Sequence, residues 1–99
     1  MEAAMNYLAE TDEKYALAKA DLLRTEILAK RARARVFMAE GTGSVEARKA
    51  NAEAHPDVIS VDDALVEATV TFEALKARRS RAEILIDVFR TLEASRRKT

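Results

Sequence analysis

Met1, Leu8, Tyr15, Leu22, Ala29 and Val36 recur every seven residues along the first forty positions. A second series of small residues, Ala4, Thr11, Ala18, Thr25, Ala32 and Ala39, runs beside it at the same period. Two interleaved heptad series mark a helix that packs along its whole length against another helix. No glycine or proline interrupts them before Gly41, so the pattern predicts one helix over 2–40. At ~1.5 Å per residue it would be on the order of 55 Å long, well beyond an ordinary globular helix.

Gly41-Thr42-Gly43 stops that helix, and Ser44, with Glu46 in the first turn, opens a short helix over 45–54. Its expected buried face is Ala47, Ala50 and Ala54. His55-Pro56 ends it, because a residue before proline resists the α conformation. Ser60 and Asp63 resemble a capping box for a last helix over 61–96. The seam of that helix reads Val61, Leu65, Ala68, Phe72, Leu75, Arg79, Ala82, Ile86 and Phe89. A slip in the repeat is expected around Arg78–Arg81.

Two long helices joined by a short connection must run antiparallel. Folding the chain near residue 50 sets Lys30, Arg31, Arg33 and Arg35 against Asp62, Asp63, Glu67 and Glu73. It also sets Asp21 near Arg78, Arg79 and Arg81, Glu10-Asp12-Glu13 near Arg90, and Glu2 near Arg96 and Arg97. Opposite charges meet throughout, which supports the hairpin. The expected fold is therefore all-α: a single domain, 1–99, made of a long antiparallel, coiled-coil-like hairpin with a short third helix at its turn.

A lone hairpin leaves apolar residues uncovered. Leu17, Leu23 and Ile27 lie off the first seam, and Leu85, Val88 and Leu92 lie off the last. Such a surface predicts an interface. Packing copies into a helical bundle would bury it, so a homo-oligomer, dimer or higher, is expected.

Composition removes most other roles. Hydrophobic residues make up 48% of the chain, but alanine supplies many of them, and there are two tyrosines, three phenylalanines and no tryptophan. Seventeen basic residues balance seventeen acidic ones, so no net field favours nucleic acid or a membrane surface. The absence of cysteine excludes disulfides and thiolate sites. No apolar run approaches the ~18 residues of a membrane span. The opening Met1-Glu2-Ala3-Ala4 lacks signal-peptide character, which places the expected location in the cytoplasm.

Candidate chemistry is sparse. His55, the one histidine, lies near Asp57, Asp62 and Asp63, but metal sites need three or four convergent ligands and these positions suit capping. Glu10, Asp12, Glu13, Asp62 and Asp63 sit on polar faces without the crowding that tunes catalytic carboxylates. Gly41-Thr42-Gly43-Ser44 follows a helix rather than the strand that precedes phosphate-binding loops. No catalytic, metal or cofactor residue is assigned, and the chain reads as non-enzymatic. The basic tail Arg96, Arg97 and Lys98 is the candidate nucleic-acid contact, the less favoured of the two readings. Neither it nor the clusters at Lys30–Arg35 and Lys76–Arg81 carries the aromatic residues of a stacking platform.

The stretches Met5-Asn-Tyr-Leu-Ala-Glu-Thr-Asp, Gly43-Ser-Val-Glu-Ala-Arg-Lys-Ala and Lys76-Ala-Arg-Arg-Ser-Arg-Ala-Glu-Ile-Leu-Ile-Asp-Val-Phe-Arg-Thr-Leu-Glu-Ala-Ser-Arg-Arg resemble a family of small proteins of tailed bacteriophages and prophages. Their genes lie near recombination and single-strand-binding functions. The resemblance implies a bacterial host, a phage or host protein partner and an accessory role around DNA metabolism. It supplies no catalytic residue.

Overall fold

The computed structural model describes residues 1–39 and 41–98. The expected helix end at residue 40 lies outside them. Three helices follow in order: α1, Glu2–Ala39; α2, Val45–Ala54; and α3, Pro56–Arg97. The described residues contain no strand. α1 and α3 pack antiparallel along their lengths, and the molecule measures 77 × 23 × 14 Å. Its radius of gyration of 21.8 Å far exceeds the ~13 Å of a compact domain this long.

The α1 seam follows the heptads. Ala4, Leu8, Thr11, Tyr15, Ala18, Leu22, Thr25, Ala29, Ala32 and Val36 are all buried or half-buried, whereas Met1 and Ala39 at its ends are exposed. Threonine is tolerated in the seam because the hydroxyls of Thr11 and Thr25 donate to the carbonyls of Tyr7 and Asp21, one turn back, at 2.7 Å. Core clusters form at both ends. Ala32, Val36, Ala52 and Val58 pack at the turn; Ala4, Ala82 and Ile86 pack at the open end with Tyr7 and Leu8 beside them. Midway, Tyr15 stacks on Phe72 at 5.3 Å between ring centroids.

α3 begins at Pro56, five residues earlier than the capping-box reading placed it. His55 is the N-cap: its Nδ1 accepts from the Asp57 N–H at 3.1 Å. Pro56 occupies the first turn, where its missing N–H costs nothing. Proline thus ends α2 and starts α3 in one step, and Ser60 and Asp63 fall inside the helix. The extra turn carries Val58, the most deeply buried side chain of the core. At the other connection Gly43 takes φ +103°, a conformation that favours glycine, and the Ser44 hydroxyl caps α2 by accepting from the Ala47 N–H. α2 turns Ala52 into the core and leaves the expected Ala47, Ala50 and Ala54 exposed. Its orientation follows from Arg48, whose guanidinium lies 4.2 Å from the centre of the Phe37 ring and donates to the Phe37 carbonyl.

The early start of α3 also changes the register. A fold centred at residue 50 would put Arg79 beside Leu22. Instead Arg79 donates to the Leu8 carbonyl at 2.9 Å, to Thr11 Oγ1 at 2.6 Å and to Asp12 Oδ1 at 2.6 Å. It also lies over the Tyr15 ring. Asp12, rather than Asp21, is thus its partner. Arg96 pairs with Glu93 on its own helix. Among the described residues the expected pairing of Arg33 with Asp62 is found, at 2.5 Å. The repeat does not slip at Arg78–Arg81, because Arg79 fills the seam position itself. At the open end Phe89, Arg90 and Glu93 border Met1, so the last residues of α3 run past the start of α1, and Phe89 stays 41% exposed.

Arg79 should therefore set the alignment. Arg79→Ala is expected to lower unfolding free energy by about 2–3 kcal/mol. The near-isosteric Arg79→Met should cost less than about 1 kcal/mol, because the long apolar side chain refills the seam. Urea unfolding of both variants measures this.

Candidate interaction surface

α1 and α3 each present one stripe to the other, and the remaining faces decide what the protein can touch. Among the described residues five large apolar side chains are buried: Val36, Val58, Phe72, Leu75 and Ile86. Sixteen large hydrophobics are exposed among the same residues, so the hairpin displays more of them than it buries. The chain exposes 7472 Å², against about 5,600 Å² for a compact monomer of its mass.

The six candidate interface residues are all exposed, from 49% at Ile27 to 63% at Leu17, but the fold does not bring them together. Leu85 stands at the level of Ala4, which packs with Ala82 and Ile86. Leu23 lies nineteen residues further along α1, on the order of 28 Å away at ~1.5 Å per residue. Two separate regions result.

The open-end region is carried by α3. Ile84, Leu85, Val88 and Leu92 are exposed there, and Ile84, Asp87, Val88, Thr91 and Leu92 line a shallow groove. A neighbouring groove is lined by Ala3, Tyr7, Arg78, Arg81 and Leu85. The Tyr7 hydroxyl is buried without a hydrogen-bond partner. Arg96, Arg97 and Lys98 continue α3 beyond this region.

The second region is the back of α1. Ala9, Glu13, Ala16, Ala20, Leu23, Ile27, Lys30, Ala34 and Phe37 alternate spacings of three and four. They form a second helix-packing stripe opposite the one that α3 covers. All but Phe37 are exposed. At its end the stripe runs into a groove between α1 and α2, lined by Arg33, Ala34, Phe37, Lys49, Ala52 and Glu53. Leu23 and Ile27 were legible as off-seam residues from sequence; the alanines that join them into a stripe were missed. The three-four spacing was the signal that would have found them.

The charges near the turn hold α2 in place. Arg33 is a hub: Nε donates to Glu53 Oε1 at 2.7 Å, and Nη2 donates to Asp62 and to the second Glu53 oxygen. The hydrogen bond from Arg33 holds the Glu53 carboxyl below the usual carboxylate range. Among the described residues no three His, Cys, Asp or Glu side chains converge as a metal site, and no helix is long and apolar enough to cross a membrane. No family model, curated protein or solved structure matches the chain.

A carboxylate whose folded pKa is depressed stabilises the fold above its unfolded pKa, and that contribution is lost as pH falls through the folded value. Acidification below ~pH 4 is therefore expected to loosen the α2 contact made through Glu53. Amide hydrogen exchange, corrected for its intrinsic pH dependence, should show lower protection in α2 at acid pH and little change in the α1–α3 seam. Glu53→Gln should abolish most of that pH dependence.

Proposed function

We propose that the protein is a non-enzymatic helical interaction and assembly module that self-associates, acting in a phage setting in the cytoplasm of a bacterial host. The observation that carries this reading is the excess of exposed over buried large apolar side chains. Contiguous apolar surface on a helix pair is covered most simply by further helices. The phage setting rests on the sequence resemblance alone. A phage or host protein is the further partner this reading expects, and no cofactor is invoked.

Light scattering coupled to size exclusion tests it. The expected mass is at least twice the 11.0 kDa of one chain at micromolar concentration. A single-chain mass at every concentration tested would count against self-association.

A second reading is an accessory protein of phage DNA recombination that binds DNA, or the proteins working on it, through basic clusters. It is supported by the continuation of α3 past the start of α1, which leaves Arg96, Arg97 and Lys98 exposed at the end of the rod. Binding of that kind weakens steeply with salt. A gel shift should then be strong at low salt and drop when Arg96, Arg97 and Lys98 are neutralised. No shift at low salt removes this reading.

A further inference from the structure

The back of α1 carries apolar residues at its middle and charges that the hairpin does not use. Glu10, Glu13, Lys19, Glu26, Lys30 and Arg31 make no ion pair within the chain among the described residues. We infer that this stripe is the site of a second copy of the chain, docked as an antiparallel α1–α1 pair about a two-fold axis between Asp21 and Leu22. The inference rests on the self-association proposed above and names its face and register.

Antiparallel helix pairs place the two alternating core positions opposite one another, with flanking residues pairing like position to like. About this axis Ala20 meets Leu23 of the second copy, and Ala16 meets its Ile27. Each large side chain thus faces a small one, which lets the backbones approach. The next layer sets Glu13 against Lys30 of the second copy, and beyond it Ala9 meets Ala34. On one flank Lys19 falls opposite Glu26, and on the other Glu10 falls opposite Arg31. Asp12 and Arg33, already paired within the hairpin, also fall opposite each other. Leu17 packs on the stem of Arg24. Six of the seven unused charges on the stripe and its flanks meet an opposite sign, Arg24 facing Leu17 instead, and the symmetry provides each pair twice.

Other arrangements of the same faces do not share this property. Sliding the copies by one heptad sets Lys19 against Arg33 and Glu26 against Glu26. Sliding the other way sets Lys19 against Lys19 and Asp12 against Glu26. A parallel pair puts Glu13 on Glu13 and Lys30 on Lys30. Like charges so placed disfavour each alternative. The corresponding back stripe of α3 carries only acids, Asp63, Glu73 and Asp87, among Ile59, Val66, Val70 and Ile84, so no self-pairing there neutralises its charge.

Two further features fit a second copy. The groove of Ala34, Phe37, Lys49 and Ala52 between α1 and α2 continues the stripe and would receive Asn6 and Ala9 of the second copy. The surplus surface over a compact monomer, about 1,900 Å² per chain, also exceeds the ~800 Å² that each partner buries in a standard interface. The assembly is a flat array in the order α3, α1, α1, α3, which leaves Leu85, Val88 and Leu92 at its ends free for another partner.

The absence of cysteine makes cross-linking a direct test on the full chain. Under mild oxidation, an equimolar mixture of Ala20→Cys and Leu23→Cys chains should cross-link faster than either alone. It should also outpace a mixture of Leu23→Cys and Ile27→Cys, the pair brought together by a one-heptad slip. Lys19→Glu should weaken the dimer on the order of tenfold, from two lost and two repulsive pairs, and Lys19→Glu with Glu26→Lys should restore it. Leu23→Asp with Ile27→Asp should give single chains of unchanged helical circular dichroism, because neither residue touches α3. If the wild-type chain is a monomer throughout, both this inference and the self-association reading fail. If it associates but the slipped pair cross-links faster, or the Leu23–Ile27 variant still associates, only the α1–α1 register is overturned.

Discussion

Everything in this molecule depends on the α1–α3 seam, a long contact with little bulk in it. Much of its length is alanine or threonine, so each layer removes little apolar area from water, and stability must accumulate over many layers. Small side chains bring the backbones close, and close approach makes the pair sensitive to register. The two apolar clusters sit at the ends, where Val36 and Val58 or Ile86 supply volume. Between them the alignment rests on the stacked Tyr15 and Phe72 rings and on Arg79.

Arg79 shows how a charged residue serves in such a seam. Its side chain is only 14% exposed, yet it meets a carbonyl, a hydroxyl and a carboxylate on α1 and an aromatic face. Burial of a guanidinium is tolerable when its donors are filled this fully. Because those partners occupy one turn of α1, the arginine accepts one alignment and penalises its neighbours. The same logic recurs at the turn, where Arg33 ties α2 and α3 to α1 through Glu53 and Asp62. Polar pairs set the geometry that an alanine-rich contact leaves loosely specified.

A thin seam has a second consequence. Large side chains that the contact does not need remain outside, and here they are ordered by position. On α1 they join alanines into a back stripe; on α3 Ile84, Leu85, Val88, Phe89 and Leu92 gather near the open end, while Ile59, Val66 and Val70 lie nearer the turn. Separation by tens of ångströms makes these two regions different surfaces, with different shapes and different charged borders. The molecule thus has the form of a rod with two separate exposed apolar regions.

The helical class, the antiparallel hairpin and the seam residues were legible in the sequence, because heptad spacing directly reports which side of a helix is covered. The glycine connection and the cap at Ser44 were legible for the same local reason. The start of α3 was not, since Pro56 signals both an end and a beginning and only the packing of Val58 decides between them. The register escaped as well. Block charge matching tolerates shifts of several residues, whereas the Arg79 contacts tolerate none. The face of α2 turned on Arg48 and Phe37, which lie on different helices and meet only across the connection. Local pattern thus determined which residues face another helix. Which residue each one meets, and which apolar groups stay together on the surface, was decided only when three dimensions fixed the offset between the helices.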